Sequence, residues 1–342
     1  MGTSNSVSGE ELARLADEKA ALLRVATLVA RGAPPEALFG PVNEEAGRLV
    51  GADIAALVRF DADDMVTVVA SWPEEAHATV GGRWPLEGDS MAPRVLRSGR
   101  PERIDDWSAV EGPLAAFIRE ELGIVSTIGV PITVEGRTWG VLMVQSTQPR
   151  LFPADTEARA AAFAELVATA IVNERARAEL RRLADEQAAL RRVATLVARR
   201  RPHDEVFAAV AEEVARVLGL EDTRLFRYED DGDATVIADR GPPGTPLKLG
   251  SRISLEGKSV TALVLRTGRP ARVYDLAKAG GQLAADARVR GVHSAIGTPI
   301  LVDGRPWGAI VAGSANVAPF ATGTESLIAE FAELVASAIS NP

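Results

Sequence analysis

The sequence predicts two copies of one α+β domain, each a central antiparallel sheet flanked by helices, joined by a long continuous helix. Three observations carry this. The chain repeats itself at a spacing of 168 residues. Each copy mixes helical stretches with hairpin signals, which favours α+β over a doubly wound parallel sheet. Between the copies, Glu157 to Arg199 contains no Gly or Pro and is dominated by Ala, Leu, Arg and Glu, all strong helix formers. At about 1.5 Å per residue such a helix spans roughly 65 Å, the length of a coiled coil or an inter-domain rod.

The repeat runs through the whole chain. LARLADEKAALLRVATLVAR from Leu12 returns as LRRLADEQAALRRVATLVAR from Leu180. Phe39 pairs with Phe207, Gly51 with Gly219, and Arg59-Phe60 with Arg227-Tyr228. A one-residue insertion then puts LRSGRP at Leu96 against LRTGRP at Leu265, and a compensating deletion restores the offset. VEGRTWG from Val134 matches VDGRPWG from Val302, and FAELVATAI from Phe163 matches FAELVASAI from Phe331. So long a period means two domains, not a solenoid. The expected organisation is a disordered leader over 1–9, a first domain over 10–173, a connecting helix over 174–199 shared with the start of the second, and a second domain over 178–342.

Within the first copy, Glu10 to Arg31 reads as a helix with Leu12, Leu15, Lys19, Leu22, Ala26 and Val29 on one heptad seam. Leu180, Leu183, Gln187, Leu190 and Val197 reproduce it. Pro34-Pro35 break that helix, and Pro35 opens the next, which Gly51 ends. Ile54–Phe60 and Val66–Trp72 are strands around the turn Asp61–Asp64; in the second copy the turn Asp230-Asp231-Gly232-Asp233 is a clear hairpin signal. Ser90 and Ser259 are placed to cap the helices Met91–Ser98 and Val260–Thr267. Glu102–Ile104 is a short strand, Asp105 to Glu121 is loop and helix, and Val125–Val134 with Thr138–Ser146 forms a hairpin. The order per copy is α-α-β-β-β-α-β-α-β-β-α. The polar join Asn173–Arg177 is where a coiled-coil stutter fits. A third junction of this kind begins at Ile339, which points to an output domain beyond it.

These features together resemble a GAF domain: a long first helix, the strand hairpin, a capped helix ending in a Gly-Arg-Pro, then IGxPI followed by VEGR or VDGR and a Trp-Gly. The resemblance covers residues 10–341, and is strongest to tandem GAF regions in the sensory part of actinobacterial sensor histidine kinases. It implies a sheet of five or six antiparallel strands, with helices from the domain ends on one face and, on the other, short helices and loops that often form a small-molecule pocket. It further implies a sensory module that binds a small molecule or partner and signals as a homodimer, through its helices, to a downstream output domain or kinase. Cysteine-dependent members are excluded, because the chain has no cysteine: neither linear-tetrapyrrole attachment nor free methionine sulfoxide reduction is open to it. The N-K-x-F-D-E signature of cyclic-nucleotide GAF domains is missing from both copies.

Composition narrows the rest. A net charge of −9 argues against nucleic acid as a partner. The basic run Arg199-Arg200-Arg201 reads as a solvated helix end. No apolar run approaches the ~20 residues of a membrane span, and the polar N-terminus carries no signal peptide, so a cytoplasmic location is expected. No nucleophile elbow or phosphate loop is present, and the acidic turns lack calcium-loop spacing, so a non-enzyme is expected. The sequence requires no cofactor and points to no metal site.

Candidate ligand residues follow from placement. In the first copy they are Trp72, Trp84, Asp106, Trp107 and Phe117. In the second they are the equivalents Arg240, Ile253, Asp275 and Leu276, with Asp286 opposite Phe117, and in addition His293. Trp139 and Trp307 recur in both copies and are assigned to packing. If the variable positions line cavities, the first is aromatic and the second smaller-sided and more charged; if not, the tryptophans fill a core. His77 and His203 read as surface residues. His293 precedes a strand and either makes backbone contacts there or coordinates a haem, which would make the second domain a redox or gas sensor. A pair of ligandless dimerisation domains is the remaining alternative.

Overall fold

The computed structural model describes residues 9–73, 80–148, 152–220, 222–241, 247–255, 257–276, 280–316 and 320–341. The chain divides into two units, Met1–Ala178 and Glu179–Pro342. The first contains helices α1 (Gly9–Ala30), α2 (Pro35–Val50), α3 (Met91–Ser98) and α4 (Pro113–Glu120) and strands β1 (Ile54–Phe60), β2 (Met65–Trp72), β3 (Arg83–Pro85), β4 (Glu102–Ile104), β5 (Ser126–Val134) and β6 (Arg137–Ser146). Helix α5 (Thr156–Ala198) runs unbroken from the first unit into the second. There follow α6 (His203–Leu218), β7 (Asp222–Tyr228), β8 (Ala234–Arg240), β9 (Arg252–Ile253), α7 (Val260–Thr267), β10 (Ala271–Val273), α8 (Gln282–Val289), β11 (Ser294–Val302), β12 (Arg305–Ser314) and α9 (Thr324–Ser340). The order of elements is the one the repeat predicts. Gly9 already lies in α1, so the helix begins inside the stretch read as leader.

Each unit has a six-stranded antiparallel sheet, in the order β3-β2-β1-β6-β5-β4 and β9-β8-β7-β12-β11-β10. Alternate strand residues face opposite sides. In the first unit Leu57, Ile128, Val130 and Ile132 face a core built with α2 and the first half of α5, through Phe39, Val42, Phe163 and Val167. In the second, Leu225, Ile296 and Ile310 meet α6, α9 and the later part of α5, through Val193. The other face of each sheet carries α3 and α4, or α7 and α8. Trp139 and Trp307 pack on Phe39 and Phe207 with ring centroids 5.7 and 5.8 Å apart, in keeping with a packing role.

Two glycines of the recurrent motifs have a steric reason. A Cβ on Gly129 of β5 would fall 2.5 Å from the Met91 sulfur, and one on Gly297 of β11 would fall 2.4 Å from a Val260 methyl. The glycine therefore lets α3 or α7 sit directly on the sheet. A Cβ on Gly140 of β6 or Gly308 of β12 would fall 2.2 Å from the carbonyl oxygen of Val58 or Phe226, which is backbone and cannot yield.

The heptad seam divides in two. Val29 is buried against Leu38 and Ala170 within its own unit, whereas Leu12 and Leu15 stand 58% and 53% exposed. In the second copy Leu180 and Leu183 are 67% and 44% exposed. The C-terminal half of each seam thus serves its own domain, and only the N-terminal half is open. Helix α5 passes through Asn173–Arg177 without interruption.

One ion pair recurs at the same place in both units. Arg103 on β4 holds Glu157 in the first turn of α5 by two 2.7 Å hydrogen bonds and donates to the Phe152 carbonyl at 2.8 Å. Arg272 on β10 holds Glu325 in the first turn of α9 in the same bidentate way and donates to the Phe320 carbonyl. Hydrogen bonds from the guanidinium hold both carboxyls below their usual range. An acid with a lowered folded pKa adds stability above its unfolded pKa, near 4.3, and loses it as pH falls through the folded value. The double variant Glu157→Gln, Glu325→Gln should be less stable at pH 7 and show a flatter decline below about pH 4.5, measured as urea midpoint against pH. An unchanged acid limb would show that the pair contributes nothing.

Candidate functional site

Each sheet has a cavity on its α3 or α7 face, at equivalent positions of the repeat. They are built from different chemistry.

The first cavity has a volume of about 90 Å³ and lies under α3 and α4 against β1, β2 and β6. Trp84 of β3 and Phe117 of α4 meet in its wall, with ring centroids 4.9 Å apart and planes tilted by 35°. Trp107, 1% exposed, lines it from the 3-10 turn after β4 and donates its indole N–H to Thr127 Oγ1 at 2.8 Å. Met91 and Met143 supply deformable thioether walls. Of the side chains expected here, the structure brings together Trp84, Trp107 and Phe117. Asp106 is exposed and caps the 3-10 turn, accepting from the Ser108 N–H at 2.8 Å; that contact holds its carboxyl below the usual range. It serves the turn and does not line the cavity.

Trp72 lies on the opposite face. A Cβ on Gly47 of α2 would fall 2.6 Å from its ring, and the Arg48 guanidinium sits 6.0 Å from its centroid. Its equivalent, Arg240, is paired with Glu212 of α6 at 2.7 Å, also on the helical face. Both expectations are corrected by one feature. Leu57 pairs with Ala70 but Val58 pairs with Val68, so Val69 is an extra residue in β2. This bulge inverts the strand: Val66 and Val68 face the cavity side, whereas Ala70 and Trp72 face the helices. Ile237 produces the same inversion in β8.

The second cavity is about 40 Å³. Leu276 lines it. Ile253 is buried in a neighbouring cluster with Phe226 and Leu247 and lies off the cavity wall, as does Asp275, half-buried beside Leu276. Asp286, named by its placement opposite Phe117, belongs to a charge cluster beside the cavity whose other members, Asp222, Arg224, Asp239 and Arg290, placement alone missed. Arg224 of β7, 2% exposed, donates Nε to Asp239 at 2.7 Å, one terminal nitrogen to Asp286 at 2.6 Å and the other to the Leu247 carbonyl at 3.2 Å. Arg290 bonds Asp222, and its Nε lies 2.7 Å from Asp286 but makes no hydrogen bond there. Burial pushes the Asp222 carboxyl above its usual range, against the pull of Arg290 and Arg224. The signal was available: Asp222, Arg224 and Asp239 stand where the first copy has Ile54, Ala56 and Ser71. Charges at inward strand positions demand partners. Room for the cluster comes from Gly313, opposite Gln145 in the first copy; a Cβ there would fall 2.6 Å from an Asp222 oxygen.

His293 is exposed and lines neither cavity; its backbone donates to the Ser314 carbonyl and accepts from the Leu276 N–H. The adjacent 40 Å³ is far below the roughly 300–1,000 Å³ of cofactor pockets. These residues do not fit a haem. His203 is exposed, with Nε2 3.1 Å from the Ala338 carbonyl, and His77 lies outside the described residues. Among the described residues no group of His, Asp and Glu is placed to hold a metal ion, and no helix is long and apolar enough to cross a membrane.

The model of the GAF domain matches the chain twice, over residues 34–171 and 202–339. The chain belongs to the GAF domain family. Its fold is also that of a bacteriophytochrome, RpBphP3 from the photosynthetic bacterium R. palustris, with a TM-score of 0.60 and 12% identity over 99% of this chain and 77% of that one. No curated protein matches it. The two GAF domains thus share a framework and differ in what fills the sheet face under α3 and α4 or α7 and α8.

Removing one partner from a buried ion pair leaves the other charge unpaired, at a cost of about 3–5 kcal/mol. Asp286→Ala should destabilise the second GAF domain by that amount in urea unfolding and leave the transition of the first unchanged. A loss below about 1 kcal/mol, the range of exposed pairs, would mean that the cluster is solvated.

Proposed function

We propose that this chain is a non-enzymatic tandem GAF sensory module in which the first domain takes up a small molecule and the second is closed by its own charges. The observation that carries the reading is the unequal pair of cavities on one framework: an apolar cavity walled by Trp84, Phe117 and Trp107, against a smaller one lined by Asp222, Arg224 and Arg290. GAF domains are sensory modules, and none of the described residues forms a constellation that implies catalysis. Signalling requires that the ligand bind two states of the domain with different affinity, and that the helices be the element that both states bias.

In this reading the module is a cytoplasmic homodimer that passes its signal along the helices to an output domain such as a histidine kinase. The support is the open half of the seam: Leu12 and Leu15 recur as Leu180 and Leu183, all exposed. Covering a leucine contributes about 1.5–3 kcal/mol. The eight leucines of a symmetric pair, each about half exposed in the single chain, contribute on the order of 6–13 kcal/mol, comparable with an association cost of roughly 4–15 kcal/mol. A ligandless dimerisation module is the second reading, favoured by the modest 90 Å³ of the first cavity.

Two measurements separate these. Light scattering at high micromolar concentration should give a dimer for the native chain and a monomer for Leu12→Glu, Leu15→Glu, Leu180→Glu, Leu183→Glu; a native monomer would sink the pairing. Native mass spectrometry of the purified chain should show a retained small molecule. Its absence, together with a dimer, favours the ligandless reading.

A further inference from the structure

Two polar side chains in the wall of the first cavity make no side-chain hydrogen bond among the described residues. Ser90 and Gln145 are each 6% exposed and both line it. Ser90 occupies the N-cap position of α3, but its hydroxyl makes no capping bond because the residue three places on is Pro93, which has no N–H; the equivalent Ser259 accepts from the Ala262 N–H at 3.2 Å. The Gln145 amide makes no side-chain hydrogen bond among the described residues. Both groups open onto the cavity without a partner among the described side chains, so a molecule occupying it can supply the bonds. The Trp107 N–H is already committed to Thr127 and offers no third contact.

The rest of the wall sets the ligand's character. No side chain lining this cavity is charged. A carboxylate or phosphate would be buried there without a counter-ion, which is strongly unfavourable. The Trp84–Phe117 pair and the two methionines favour an aromatic ring. At about 90 Å³ the space is smaller than the ~150 Å³ apolar cavity known to admit benzene, so one ring is the upper limit and it enters by displacing the methionine or Phe117 wall. We propose that the first GAF domain binds an uncharged, single-ring aromatic molecule with one hydrogen-bonding edge, which Ser90 and Gln145 recognise. This rests on the reading of that domain as the small-molecule site. The second domain cannot share the specificity: Gly313 replaces Gln145, Ser259 is spent on its helix, and Asp286 replaces Phe117.

Calorimetric titration of the full chain with phenol, toluene and benzoate tests this. Phenol should bind once per chain at least about tenfold more tightly than toluene, the worth of one hydrogen bond to a buried group, and benzoate should not bind. Gln145→Leu should abolish the preference for phenol over toluene, because it removes the amide that bonds the hydroxyl. Ser90→Ala should reduce the preference in the same direction. Equal binding of phenol and toluene, or an unchanged preference in both variants, overturns the proposed specificity and leaves the small-molecule reading standing. If no probe binds but native mass spectrometry shows another retained compound, the ligand class falls alone; if neither occurs, both fall.

Discussion

The architecture of each domain depends on one backbone contact at the middle of its sheet. The six strands form two halves, β3-β2-β1 and β6-β5-β4, and the halves meet only where β1 pairs with β6. At that seam Gly140 lies against the Val58 carbonyl, with no room for a Cβ, and Gly308 lies against Phe226 in the same way. The bulge between Leu57 and Val58 sits at the same point, as does that between Leu225 and Phe226 in the second copy. A larger residue at the glycine would separate the halves of the sheet and so separate the helical core from the cavity face. The preceding tryptophan anchors the strand to α2 or α6. The recurrent Trp-Gly therefore encodes both the packing and the closure of the sheet.

With that framework fixed, the cavity face is free to diverge. The change from Ile54, Ala56 and Phe117 to Asp222, Arg224 and Asp286 exchanges an apolar wall for a set of charges that must satisfy each other. Taking charges out of water is costly, and their attraction repays it only when geometry is good and the remaining donors are bonded. Arg224 meets that condition through Asp239, Asp286 and the Leu247 carbonyl. The arrangement is specific more than it is stabilising, because residues of the first copy's type would fill the same space without desolvating five charged groups. What it achieves is occupancy: the guanidinium and carboxylates stand in the volume that the first domain leaves open.

Element identity was legible in the sequence because each element is marked locally. Ile54–Phe60, Met91–Ser98 and Glu102–Ile104 coincide with β1, α3 and β4, and the unbroken Ala/Leu/Arg/Glu stretch is α5. The side of the sheet that a strand residue faces was legible only where alternation is regular. Trp72 and Arg240 lie beyond a bulge that exists only in the pairing of two strands, and a period-2 reading of β2 or β8 places them on the wrong face. Ser90 and Ser259 hold the same N-cap position, yet only Ser259 caps its helix, because the residue three places on is Ala262 there and Pro93, which has no N–H, here. The ion cluster was legible in principle as charges at inward positions of β7. Its partners, Asp286 and Arg290, come from a helix end some sixty residues away and were fixed only by the fold.

The same bulge and ion pair connect the wall of the cavity to the helices. Val66 and Val68 line the first cavity, and two residues later Ala70 lies in the core shared with α2 and α5. One strand thus passes from the ligand face to the helical face within three residues. The strand β4 makes a second connection: Ile104 is part of the cluster around Trp107, while Arg103 grips Glu157 in the first turn of α5. A displacement of the wall that carries Trp107 pulls on a bidentate ion pair, which resists sliding more than a point contact does. Arg272 and Glu325 repeat the connection to α9, although the cavity beside them is filled by charges. The tether is therefore a property of the framework, present in both domains, whereas the larger apolar cavity belongs to the first alone.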